Sequence, residues 1–403
     1  MKIEDKIFKF QQSIEKSKYP VMFFDRDSDG LLSYLILKRK YKKIKGFPFE
    51  KELDKQKDIA IEHATNCDLI IIFDIPVISN EFFDILNDVP ILWMDHHKSN
   101  AKKQIDLINK NIDNNNQNSS NKYITYLNPL DFNSNDNRPA CYFSYLVCND
   151  KNNLDLVVLG SICDFFLLDV IEKLYYYDKK KFKQIISLKN DEIKTLLCFL
   201  EKNMNHENKQ VESSDQRDEW IRYLLYNTNI RKLNNFFNFL FKLRTKDEIL
   251  KGINMIESCS IYELNEKIEF QKSELFDKYN NMELKYKDIF SKATKKKQNE
   301  IIFFYDYIGE IGFSKTLSEE LNYLFKDILV VCVCFKHVNK KNYNCSIRGR
   351  NFNVRLLLED VINGLKAQGG GHQFAVGASI DQDDFPIFKK RIFEFAKNKK
   401  YMI

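Results

Sequence analysis

Asp25, Asp27 and Asp29 alternate within five residues, Asp74 follows a short apolar run, Asp95-His96-His97 follows another, and Asp164 closes a third. Carboxylates crowded in this way repel one another and raise one another's pKa unless positive charge sits among them. A divalent cation is the simplest remedy. Oxygen ligands alone suit Mg2+ or Ca2+, and added imidazole shifts the expectation toward Mn2+ or a similar ion. Any one of these elements alone reads equally well as a solvated turn or a helix cap. Four of them at equivalent places in the chain do not.

The elements that must position these groups are apolar runs. Pro20 to Phe24, Asp68 to Phe73, Pro90 to Met94 and Leu154 to Leu159 read as buried strands, each delivering polar residues at its C-terminal end. Leu31 to Lys40 reads as a helix closed by basic residues, which suits the negative end of a helix dipole. Strands that hand polar residues to their carboxyl ends are the pattern of an open α/β sheet, where ligands bind just outside those ends. The polar stretch Asn109 to Lys122 cannot form a core and reads as an exposed loop.

From about Val170 to Lys297 the spacing turns helical, over Phe182 to Lys202, Trp220 to Tyr226, Ile230 to Lys242 and Lys246 to Asp288, the last read as one long connecting helix. The lysines there read as a solvated face. Strand patterns return at Ile301 to Asp306, Ile328 to Phe335 and Tyr343 to Ile347, followed by Gly369-Gly370-Gly371-His372. This shift marks a second α/β domain beginning near residue 293.

A chain of 403 residues needs at least two cores. With 44% hydrophobic and 30% charged residues it resembles neither a membrane protein nor a disordered one. The longest apolar runs fall short of the roughly 18 residues of a bilayer span, and the amino terminus has no apolar segment of a secretory signal. A cytoplasmic location is the default. The net charge of +6 permits an anionic partner without requiring one. Nine cysteines without a CxxC pair read as free, mostly buried thiols. His63, His206 and His337 lack matching partners in sequence and are set aside. Read on their own, the glycine run is a turn, and Arg348 and Arg350 are surface residues.

DRDSDG at 25–30, Asp74 after its strand, DHHK at 95–98 and GSICD at 160–164 closely resemble the four motifs of the DHH phosphoesterase superfamily. SIRGR at 346–350, Asn353-Val354 and GGGHQFAVGASI at 369–380 resemble its companion DHHA1 domain. The resemblance implies an α/β protein with an N-terminal parallel-sheet DHH domain (1–168), a helical middle region (169–292) and a smaller C-terminal α/β DHHA1-like domain (293–403), with the active cleft between the two. It also implies two metal ions, Mn2+ with Mg2+ as the alternative, and hydrolysis of phosphate esters. On this chain the implied ligands are Asp25, Asp27, Asp29, Asp74, His96 and Asp164, with Asp74 bridging. Asp95, His96 and His97 are the implied catalytic group. Arg348, His372, Gly370 and Gly371 are the implied substrate contacts, joined more weakly by Arg350, Lys98 and Arg138. The chain departs from many relatives at Phe23, where they carry a histidine, and the acidic Asp25 resembles the RecJ-like branch.

The expected activity is exonucleolytic cleavage of single-stranded or short oligonucleotides. The alternatives are a small-substrate phosphoesterase, acting on a cyclic dinucleotide, a nucleotide monophosphoester or polyphosphate, and an inactive scaffold in a replication or repair complex. The helical middle offers a surface for oligomerisation or a protein partner.

Overall fold

A computed structural model describes residues 2–50, 53–86, 89–99, 101–106, 124–136, 138–205, 210–211, 215–243, 245–296 and 301–403. The polar stretch Asn109 to Lys122, and His206, lie outside them. The chain forms two compact units, Met1–Leu275 and Phe276–Ile403.

The first unit is built on a parallel sheet in the order β2-β1-β3-β4-β5, from β1 (Pro20–Phe24), β2 (Lys45–Pro48), β3 (Leu69–Phe73), β4 (Ile91–Met94) and β5 (Ile124–Leu127). Every residue of β1, β3 and β4 is buried. Helices on both faces of a parallel sheet leave its strands no polar side, so their sequences are continuous apolar runs. From β1 the sheet grows one way to β2 and the other way to β3. A doubly wound sheet opens a crevice where this direction switches, beyond the carboxyl ends of the strands. Asp25 and Asp74 follow the two strands that flank the switch.

The run from Leu154 is not a strand. It is the helix Leu154–Cys163, whose residues from Leu154 to Ile162 are all buried. A short apolar run enclosed on every side carries no periodicity that separates strand from helix. Gly160 permits the enclosure: a Cβ there would stand 2.6 Å from Cys141 Sγ and 3.3 Å from Leu32 Cδ1. The missing edge strand is β5, four residues paired with β4.

Among the described residues the chain from Val170 to Thr294 is mostly helical. The long helix expected from Lys246 is three, Lys246–Glu257, Ile261–Phe270 and Glu274–Thr294. Ser260 and Glu263 form a reciprocal capping box that starts the second of these, an arrangement that satisfies the amides a helix start leaves open. Phe182 to Lys202 is likewise divided, into Lys179–Ile185 and Asn190–Asn203. The short strands β6 (Met204–Asn205) and β7 (Gln210–Val211) pair antiparallel.

The second unit is a mixed sheet in the order β11-β12-β10-β9-β8, from β8 (Ile302–Gly309), β9 (Val330–His337), β10 (Asn342–Gly349), β11 (Ala367–His372) and β12 (Ala375–Asp381). Its core joins Val330, Cys332 and Ile347 of the sheet to Leu357, Phe388 and Ile392 of the helices. The run Gly369–Gly371 is not a turn but part of the edge strand β11, paired with Ala378, Gly377 and Val376. The cysteines are not all free. Cys334 and Cys345 face each other across β9 and β10 and are joined by a disulfide. Among the described residues no helix is long and apolar enough to cross a membrane.

Candidate metal centre

Asp25 leaves the end of β1, and its Oδ1 accepts a hydrogen bond from the backbone of Arg26 at 2.7 Å. The chain then turns directly into the helix Ser28–Lys40, with Asp27 as its N-cap accepting from the Gly30 amide at 3.1 Å. The turn is tight enough to need glycine: a Cβ on Gly30 would lie 2.5 Å from the carbonyl oxygen of Asp25. Asp29, in the first turn of that helix, accepts from the amides of Ala140 (2.7 Å) and Cys141 (2.9 Å), which begin the helix Ala140–Cys148. A helix N-terminus favours a carboxylate. Burial nevertheless raises the Asp29 pKa, and His96 and the Cys141 amide only partly offset it.

Asp74 follows β3 in the left-handed region, at φ 65°, a conformation that Asp tolerates better than most residues but that still stores strain. Its amide donates to Met94 O at 2.9 Å, tying the end of β3 to that of β4. Its Oδ1 is buried and takes part in no hydrogen bond among the described residues; it stands 3.2 Å from His96 Nε2 and 3.8 Å from His97 Nδ1. Burial, reinforced by the charges of Asp29 and Asp27, pushes its pKa well above 3.8.

Asp95 and the histidines leave β4. Asp95 is fully buried, and its Oδ1 is 2.8 Å from His97 Nδ1 while its Oδ2 accepts from Ser99 Oγ at 3.2 Å. Burial works against a charged His97, but the Asp95 hydrogen bond and the charges of Asp74 and Asp95 outweigh it and the pKa is raised. His96 Nε2 lies 3.9 Å from Asp29 and 3.7 Å from Asp164. Asp164 is the C-cap of Leu154–Cys163, not a residue at a strand end. The next residue, Phe165, is left-handed at φ 58°, which turns the chain away as the helix ends. Burial raises the Asp164 carboxyl to about 7, with Asp29 and Asp27 adding to it against His96.

These side chains form three overlapping groups able to hold a cation: Asp25, Asp27 and Asp74; Asp74, His96 and His97; Asp29, His96 and Asp164. Asp74 and His96 each belong to two. Five carboxylates with raised or crowded charge, one with an unused buried oxygen, fit a pair of divalent ions better than any arrangement of protons alone. Phe23 takes no part. It is buried among Phe47, Phe49 and Phe82, with ring centres 6.3, 5.9 and 5.4 Å away.

Lys98 is exposed beside the histidines. Arg138 is buried and engaged by both oxygens of Asp136, with its guanidinium 5.0 Å from the Tyr142 ring centre. Its charge is therefore already matched in place. In the second unit Arg348 is held by Glu319 at 2.8 Å, and Arg350 donates to the Asn322 carbonyl. Arg348 on β10 and His372 on β11 both stand opposite Ala375 of β12, so they share one face of the sheet with a small residue between them. Gly370 faces open space. His63 stacks on Phe47 at 3.7 Å, and His337 Nδ1 accepts from the Asn339 amide. Sequence reading missed the Ala140 and Cys141 amides that hold Asp29. Pro139 just before them was the available signal, since proline favours the first turn of a helix.

Residues 287–398 match the DHHA1 domain. Over 98% of its length the chain is similar to RecJ of Thermus thermophilus in complex with Mn2+, at TM-score 0.61 and 13% identity, covering 54% of that chain. The Mg2+ complex of RecJ from the same organism gives 0.55 at 14%, covering 52%. Over 97% of its length it is similar to a DHH domain described as belonging to a family of ribosomal proteins, at TM-score 0.60 and 12% identity, covering 90% of that chain. The chain thus spans about half the length of the RecJ chains it matches. No curated protein matches it.

Proposed function

We propose that this chain, which carries a DHHA1 domain and has the DHH/DHHA1 fold, is a metal-dependent phosphodiesterase that hydrolyses single-stranded or short oligonucleotides from an end. The observation that carries the reading is Asp74. It belongs to two of the cation-binding groups, and its Oδ1 is buried with no hydrogen bond among the described residues, as would suit a carboxylate serving two ions.

In this reading Asp25, Asp27 and Asp74 would hold one ion, and Asp29, His96 and Asp164, with Asp74, the other. The RecJ structures of the same fold are in complex with Mn2+ and Mg2+, and the donor set suits either. Such a pair of ions lowers the pKa of water and neutralises charge on a phosphate. The remaining work falls to the chain itself. Asp95 holds His97 through Nδ1, which leaves Nε2 as the ring nitrogen available to substrate. The Asp95 hydrogen bond favours the protonated ring, the form in which Nε2 would donate a hydrogen bond to a phosphate oxygen. In the second unit Arg348 and His372, with the exposed backbone of Gly370 and Gly371 and with Arg350 more weakly, are the proposed substrate contacts; Lys98 is the proposed contact beside the histidines. Arg138, paired with Asp136, is given no part in this reading.

The test is product formation with Mn2+ on end-labelled short and long DNA and RNA, cyclic dinucleotides, phosphoadenosine phosphate and polyphosphate, with Asp74→Asn as control. Asn is chosen because it tolerates the left-handed backbone. Mononucleotide release lost in the variant supports the reading. Activity confined to a small substrate would replace the substrate class, and inactivity of folded, metal-loaded protein on every substrate would leave the scaffold role.

A further inference from the structure

The acidic loop has a second set of residues interleaved with the first. Between Asp25, Asp27 and Asp29 stand Arg26 and Ser28, and both side chains reach the helical middle region. Ser28 Oγ donates to Asn234 Oδ1 at 2.5 Å, within the helix Asn229–Leu240. Asn238 Nδ2 donates to the same Oδ1 at 2.9 Å, which orients the Asn234 amide. Arg26 Nη2 donates to the carbonyl of Phe241 at 3.2 Å, and Nη1 pairs with Glu50 at 3.0 Å.

Phe241 is the C-cap of that helix. Carbonyls there lack partners within the helix and sit at the negative end of its dipole, so a guanidinium is a favourable companion. Glu50 supplies the balancing charge. A cation located between three carboxylates is thereby anchored outward, on a carbonyl and an acid that belong to other elements. The helix itself is fixed by burial of Ile230, Leu233, Phe236, Phe237, Phe239 and Leu240, so its two contacts with the loop are rigid reference points.

We infer that the helix Asn229–Leu240 is a positioning clamp for the metal-binding loop, acting through Asn234 on Ser28 and through the Phe241 carbonyl on Arg26. The inference rests on the metal reading above and assigns the helical middle a role in it. Asn234, Arg26 and Ser28 are positioning residues. They hold the backbone on either side of Asp27 so that three mutually repelling carboxylates keep one geometry. Without the clamp the loop relaxes the repulsion by spreading, and ions bind more weakly. Partners one shell out from a metal typically tune its affinity about 10- to 100-fold.

Calorimetric titration of the full chain with Mn2+ alone tests this, without reference to turnover. Wild type is compared with Asn234→Ala, Ser28→Ala and Thr228→Ala. Thr228 caps the same helix through the Ile230 amide but does not touch the loop, and so reports general destabilisation. The expected result is a Kd weakened about 10-fold or more in Asn234→Ala and Ser28→Ala, with Thr228→Ala binding as wild type at a lower Tm. Unchanged affinity in both clamp variants would overturn the inference while leaving the metal reading intact. Affinity that falls in step with Tm in all three would overturn it too, as plain loss of stability. A wild-type chain that takes up no Mn2+ would overturn both readings together.

Discussion

In the first unit the polar groups gather beyond the ends of strands that are buried on both faces, whereas in the second they lie along the strands. Asp25, Asp74 and Asp95 emerge where β1, β3 and β4 stop; amides of their own turns donate to Asp25 and Asp95, and the Asp74 amide donates to the Met94 carbonyl. Arg348 and His372 instead form a row across β10, β12 and β11, with Ala375 between them and an exposed edge beside them. The difference is one of dielectric. Buried carboxylates with raised pKa values demand cations, but Arg348, paired with Glu319, and the exposed His372 carry no such buried charge. The first arrangement concentrates charge, and the second offers shape.

The largest expected effect strikes the buried cluster. Asp74→Asn should lower Mn2+-dependent hydrolysis on the order of 10^3-fold, the weight of a few kcal/mol of charge stabilisation, read as initial rate at saturating metal. Loss confined to a few-fold would mean that Asp74 does not bridge. Asp95→Asn should cost about 10- to 100-fold and let the His97 pKa fall, because a neutral amide no longer holds the imidazolium. NMR titration of the ring and a pH–rate profile would both move toward lower pH. In the second unit Ala375→Leu should weaken substrate binding by wedging Arg348 from His372, with Mn2+ affinity untouched. Equal loss of metal affinity would erase the contrast between the two regions.

Stability should separate them as well. Gly160→Ala forces a methyl against Cys141 Sγ and should cost about 1–3 kcal/mol of stability, whereas Gly370→Ala, with nothing within 4 Å, should leave the denaturation midpoint nearly unchanged. A further contrast concerns pH. The Asp164 carboxyl ionises near 3.8 when unfolded and at about 7 in the metal-free fold. Between these values the unfolded chain sheds a proton that the folded chain keeps, so this group lowers stability as pH rises from about 4 to about 7. Below that window both states are protonated and the cost vanishes. Mn2+ must displace the proton, so its affinity should rise through the same window. A metal-free Tm that increases with pH there would show that other groups dominate the cluster.

Much of the site was legible in the residues. Carboxylate and imidazole side chains following apolar runs announce a cation site because their charge has no other remedy, and the motif order tied Asp74, His96 and Asp164 to it before any coordinates. The sheet was legible for the same reason, since strands buried on both faces leave unbroken apolar runs at Pro20, Leu69 and Ile91. Leu154–Cys163 was not, because enclosure removes the polar side that separates a helix from a strand. Nor was the partner of Arg26 or Ser28, which lies more than 200 residues away in the chain.

The sequence by itself therefore determined which chemistry this protein is equipped for, because residue type sets charge and ligand preference wherever the chain goes. Tertiary structure alone decided which carboxylates gather into one group, that Arg138 is matched to Asp136 rather than left open, that the glycine run is a sheet edge, and that a distant helix meets the acidic loop. Those outcomes depend on distance and burial between segments remote in sequence, and neither quantity is written in the order of residues.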